Sequence, residues 1–77
     1  MHSPDWFPGD FIYPVNEAQR EATRHAQRVL RLAETGDLDD LTRASLRGFQ
    51  GLFKLRVSGI MDHATAVKLE EVRHQHA

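Results

Sequence analysis

Leu32-Ala33-Glu34-Thr35-Gly36-Asp37-Leu38-Asp39 and Leu55-Arg56-Val57-Ser58-Gly59-Ile60-Met61-Asp62 are two versions of one stretch, twenty-three residues apart. The correspondence runs outward from these turns. Arg20, Arg24, Gln27, Leu32, Gly36, Asp39, Thr42 and Leu46 match Arg43, Arg47, Gln50, Leu55, Gly59, Asp62, Thr65 and Leu69 in type and offset. Conservative pairs fill the intervals, among them Val29 with Leu52, Arg31 with Lys54 and Thr35 with Ser58. Self-similarity at a fixed period of this length marks one supersecondary unit used twice.

Each turn predicts a helix exit followed by a helix entry. Gly36 and Gly59 offer the positive φ that a chain needs on leaving a helix. Asp39 and Asp62, three residues on, suit the N-cap of the next helix, where the dipole also favours a carboxylate. Leu38, Thr42, Leu46 and Phe49 then share one helical face, and so do Met61, Thr65, Leu69 and Val72. The pattern predicts a second helix from about Asp39 to Phe53 and a third from Asp62 to about His74. Gly48 and Gly51 lie inside the second, where glycine weakens a helix, so both are expected to mark close backbone approach.

The first helix is expected to begin at Asn16, with Asn16-Glu17-Ala18-Gln19 as a capping box. Ala18, Ala22, Ala26, Val29 and Ala33 give it a narrow small-residue face for close packing. Arg20, Arg24, Arg28 and Arg31 form a neighbouring basic stripe, read as a solvated face balanced by Glu17, Glu21 and Glu34 in preference to a phosphate site. No stretch reads as a strand beyond brief extended pairings at Asp37-Leu38 and Ile60-Met61. The fold class is therefore all-α: a compact three-helix bundle spanning 16–77, preceded by an extended aromatic and Pro-rich N-terminal arm at 1–15.

That arm holds Pro4, Pro8 and Pro14, which are incompatible with a helix. It also carries Trp6, Phe7, Phe11, Ile12 and Tyr13, too apolar a set for an ordinary solvated tail. Two readings stand side by side. The arm folds back and caps the bundle, or these five residues dock on a partner, since aromatic anchors dominate binding hot spots.

The totals narrow the classes further. Seventy-seven residues make one small domain near the limit of what a single core can hold. Without Cys there is no disulfide or thiolate staple. A net charge of −1 gives no global attraction to nucleic acid or an acidic membrane. As a helix-turn-helix reader the third helix is poorly equipped, because Asp62, Glu70 and Glu71 oppose Lys68 and Arg73. Neither a signal peptide nor a membrane span is expected.

Catalytic and metal chemistry finds little support. Asp37, Asp39 and Asp40 cluster with Glu34, but Asp37 is matched by Ile60 and Asp40 by His63, so a duplicated calcium loop is not repeated. Only Asp39 and Asp62 recur, where an N-cap explains them. His25, His63, His74 and His76 have no metal spacing. No catalytic, cofactor-binding or metal residue is assigned, and no cofactor is expected. Gln27 and Gln50 are different: a repeated Gln beside apolar neighbours is expected to hydrogen-bond the backbone of the following Thr/Ser-Gly turn. With Gly36, Asp39, Gly59 and Asp62 they make the turn-and-cap set.

Leu46-Arg47-Gly48-Phe49-Gln50 followed by Leu55-Arg56-Val57-Ser58-Gly59-Ile60-Met61-Asp62-His63-Ala64-Thr65 resembles the peptidoglycan-binding-like domain family. The likeness is clear from about Leu41 to Leu69 and extends through the repeat to Arg20. It implies a non-enzymatic three-helix module of the kind that accompanies bacterial cell-wall hydrolases and matrix metalloproteinase propeptides. The turn at Thr35-Gly36-Asp37-Leu38 is shorter than the family's usual first loop, and the arm lies outside its pattern. With no export signal and no attached enzyme, the expected setting is a bacteriophage virion. There the arm would anchor on the shell or tail and the bundle would be displayed as a capsid or tail decoration. The alternatives are a peptidoglycan-binding module separated from its hydrolase, and a small cytoplasmic adaptor. Peptidoglycan is the other partner expected; nucleic acid and membrane are not.

Overall fold

The computed structural model describes residues 2–75. Three helices of equal length follow one another: α1 (Glu17–Val29), α2 (Asp40–Leu52) and α3 (His63–Gln75). The repeated chemistry sets their starts. Asn16 Oδ1 accepts from Gln19 N–H at 2.8 Å, Asp39 Oδ1 from Thr42 N–H at 2.9 Å, and Asp62 Oδ1 from Thr65 N–H at 3.0 Å. Each satisfies an amide that helix geometry leaves without an internal partner. The capping box differs in one detail. Gln19 Oε1 reaches past the cap to the N–H of Val15, at 2.7 Å.

The helix exits depart from expectation. The residues that leave α1 and α2 with positive φ are Arg31 (φ 61°) and Lys54 (φ 58°), not the two glycines. Leu32 N–H donates to Gln27 O and Arg31 N–H to Arg28 O, at 2.8 and 3.1 Å. Leu55 to Gln50 and Lys54 to Gly51 repeat this double bond at 2.8 and 3.2 Å. This is the Schellman arrangement, with a long basic side chain where glycine is commonest. Gly36 (φ 82°) and Gly59 (φ 73°) hold the left-handed region five residues later, in the approach to the next helix.

Alanine substitutions at two glycines have opposite expected outcomes. A Cβ on Gly59 would stand 3.1 Å from Nη1 and 3.2 Å from Cγ of Arg47, on a backbone that disfavours it. Gly59→Ala should therefore lower stability by about 1–2 kcal/mol. Gly48 does not mark a close approach: it is exposed, and nothing lies within 4 Å of where a Cβ would be. At Gly51 only a Val57 methyl comes near, at an ordinary 3.9 Å. Gly48→Ala should raise stability by about 0.5–1 kcal/mol through helix propensity. Denaturant titration reads both; equal signs would contradict this account.

The core is the repeat turned inward. Leu38, Leu46, Phe49, Met61 and Leu69 are buried around Ala22 and Ala26 of α1. The two alanines keep the α1 surface low where α1 meets α3. The small-residue face is shorter than its sequence pattern, since Ala18 and Ala33 are exposed. Thr23 and Gln27 are buried beside the alanines instead, Thr23 Oγ1 donating to Gln19 O at 2.9 Å.

The arm lies on the bundle. Phe11 pairs antiparallel with Met61, its N–H donating to Met61 O at 3.1 Å, and its ring joins the core. Trp6 and Phe7 pack against the same core from outside. Among the described residues this bridge is isolated, and no helix is long and apolar enough to cross a membrane.

Candidate functional site

Two clasps, built alike, tie each helix pair together. Gln27 is 1% exposed and Gln50 fully buried. Gln27 Oε1 accepts from Gly36 N–H at 3.0 Å, while Nε2 faces Thr35 Oγ1, Asp37 O and Thr42 Oγ1 at 3.0, 3.0 and 3.1 Å. Gln50 Oε1 accepts from Ser58 and Gly59 N–H at 3.1 and 2.9 Å. Its Nε2 faces Ser58 Oγ, Ile60 O and Thr65 Oγ1 at 3.1, 3.2 and 2.8 Å. Each carboxamide thus joins the end of one helix, the loop and the first turn of the next. Asp39 and Asp62 hold those first turns, and bonding from Thr42 keeps the Asp39 carboxyl below its ordinary pKa. Among the described residues no buried side-chain polar atom lacks a partner.

The hydroxyls of Thr35, Thr42, Ser58 and Thr65 complete the clasps, and sequence reasoning did not assign them. The signal was present: all four belong to the repeated pairs. Arg24 and Arg47 form another matched pair, each lying over the glycine of its clasp.

The five aromatic and aliphatic residues proposed for docking are not brought together. Phe11, 6% exposed, is in the core. Trp6 is half-buried and stacks on His25, centroids 4.9 Å apart and planes 4° from parallel. Its Nε1–H donates to Glu70, and Phe7 meets it edge-on at 6.3 Å. Ile12 and Tyr13 face outward, and the Arg43 guanidinium covers the Tyr13 ring at 4.5 Å while donating to Ile12 O.

Behind the Trp6–His25 stack a groove of about 260 Å³ opens between α1 and α3. Val29 and Val72 line it, with His25, Arg28, Arg31 and Arg73. Arg28 is paired with Glu34 and Arg73 with Glu70, at 2.8 and 3.0 Å. Of the rest of the basic stripe, Arg20 is balanced by Glu17 and Arg24 by Glu17 and Glu21, whereas Arg31 has no acidic partner among the described residues. Sequence alone gave no sign that Arg73 would meet Arg28 and Arg31, because that meeting depends on how α3 packs on α1.

Two groups here give the molecule a pH dependence. Burial, then the charges of Arg28 and Arg73, hold the His25 pKa below its ordinary value, against the weaker pull of Glu70 and Glu21. The Trp6 hydrogen bond, with Arg73 and His74, holds Glu70 below its own. A depressed His makes the folded state resist protonation, so stability should fall as pH drops below about 6.5. The depressed Glu70 contributes stability present above its unfolded pKa and lost as pH falls through its folded one. His25→Gln should flatten the stability profile as pH falls below about 6.5, leaving the more acidic limb in place. An unaltered upper limb would assign that slope elsewhere.

Among the described residues no three His, Asp or Glu side chains gather as a metal site. His76 lies outside the described residues. His63 shares a hydrogen bond with Ser3 at 3.0 Å, and His74 lies 3.0 Å from Glu70.

No curated protein and no solved structure matches the chain. A protein-family match does exist, to the family described as "Putative peptidoglycan binding domain". It covers residues 19–69, about two thirds of the 77, and takes in both clasps from Gln27 to Thr65. The chain belongs to the peptidoglycan binding domain family.

Proposed function

We propose that this protein is a non-catalytic binding domain whose ligand is peptidoglycan. The observation that carries the reading is the family match across both helix–loop–helix units. The structure is compatible with a binding role. The polar groups that recur in the repeat are consumed in holding loops, and a groove with aliphatic and cationic walls stays open between α1 and α3. Co-sedimentation of the full chain with purified insoluble peptidoglycan tests it. Retention is expected, without release of soluble fragments; a folded chain left entirely in the supernatant would defeat the reading.

A second reading has one observation in its favour. Ile12, Tyr13 and Val15 form an exposed apolar run on the arm, as a protein anchored in a larger assembly such as a virion shell or tail would need. An Ile12→Ser/Tyr13→Ala variant should then lose co-sedimentation with that assembly while melting normally. Undiminished co-sedimentation would remove this reading.

A further inference from the structure

We propose that the groove between α1 and α3 is a carboxylate-binding site that takes the peptide branches of peptidoglycan rather than its sugars. This rests on the reading of the chain as a peptidoglycan binder. The walls argue for an anion with a short aliphatic neighbour. Val29 and Val72 supply the apolar surface, and Arg28, Arg31 and Arg73 supply three guanidiniums, with no carboxylate among the lining residues.

The pairing state of those guanidiniums matters. Arg28 engages Glu34 through Nε and Nη2, and Arg73 engages Glu70 through Nη1. Each has further N–H donors, since a guanidinium carries five. Arg31 has no acidic partner among the described residues and leaves the backbone from its left-handed position at the end of α1. The carbonyl end of a helix ordinarily repels an anion. Here Ala26, Gln27 and Arg28 carbonyls already accept from Leu30, Leu32 and Arg31, which leaves the arginine side chains to set the local potential.

A sugar would be served by an open aromatic face, and the groove lacks one. His25 is the only ring among the lining residues, and Trp6 covers one of its faces. The peptide branches of peptidoglycan, by contrast, place free carboxylates next to alanyl methyls. A methyl against Val29 and Val72 brings the adjacent carboxylate within reach of the guanidinium forks, whose geometry favours two parallel hydrogen bonds.

The test is a titration of the full chain, followed residue by residue by NMR, with the soluble tetrapeptide L-alanyl-γ-D-glutamyl-meso-diaminopimelyl-D-alanine. Parallel titrations use its fully amidated form and a glycerol-phosphate oligomer. Signals of Val29, Arg31 and Val72 should shift with the free acid. Binding should weaken about tenfold for the amidated peptide and for an Arg31→Asn/Arg73→Gln variant. Asn tolerates the left-handed backbone, so that variant should remain folded; Arg56→Gln, which removes one positive charge from an exposed loop outside the groove, should bind as wild type. Equal affinity for acid and amide, an unaffected double variant, or no shift with tetrapeptide would each overturn the proposal. Tighter binding of the phosphate oligomer would overturn it too, by moving the groove to phosphate polymers. Retention on insoluble peptidoglycan without tetrapeptide binding would leave the functional reading standing and this site refuted. Tetrapeptide binding without retention would do the reverse.

Discussion

Gln50→Leu should lower the stability of the domain by about 3 kcal/mol, a shift of about 15 °C in melting temperature for a chain this size. Leucine fills nearly the same volume, so little of the loss would come from an empty space. It would come from groups stranded without partners. The Gly59 and Ser58 amides lose their acceptor and the Thr65 hydroxyl its donor, while the Ile60 carbonyl keeps only the Asp62 N–H, at 3.1 Å. Ser58 Oγ retains Asp62 Oδ2 at 3.1 Å and is less affected. Gln50 is fully buried, so water cannot readily take over. Thermal unfolding by circular dichroism checks this directly. A melting temperature within a few degrees of wild type would mean that the loop reorganises around leucine at little cost, and that the clasp does not hold α2 to α3.

Phe11→Ala should cost about 3 kcal/mol, as deletion of a buried aromatic ring generally does. The ring is 6% exposed within the main core cluster, and its backbone is pinned to Met61. Tyr13→Ala, two residues along and 63% exposed, should lie within about 0.5 kcal/mol of wild type. Paired denaturant curves separate the two accounts of the arm. A large difference between the variants makes the arm the lid of the core; near-equality would mean that the arm adds no more at Phe11 than at a solvent-facing position.

Local chemistry was legible in the sequence wherever a residue type acts within a few positions of itself. Asn16, Asp39 and Asp62 read as caps because a short acceptor side chain reaches only the next turn. The three-helix fold followed from those caps and from the spacing of Leu38, Leu46, Met61 and Leu69. The repeated glutamines invited a backbone partner, and Gly36 and Gly59 amides are bound to them. What depends on distant meetings was not legible. Thr42 and Thr65 reach their glutamines across fifteen residues. Phe11 finds Met61 from the far end of the chain, which composition cannot distinguish from an arm awaiting a partner. Arg31 and Lys54 reversed the usual preference for glycine after a helix. The glycines were consequently credited with the exit, although each sits five residues further on. Gly48 looked like a packing device only because nothing in sequence tells open solvent from a neighbouring backbone.

The way α2 is used has a consequence for how the molecule comes apart. Its first turn receives the Gln27 clasp through Thr42, and its last turn supplies Gln50 to the next. The two copies of the repeat overlap in a shared helix, so neither can exist as a detachable module. Fraying α2 from either end would weaken the other copy as well. Native-state hydrogen exchange should therefore find the Gly36 and Gly59 amides opening together in one cooperative event. A duplicated sequence here yields a single folding unit.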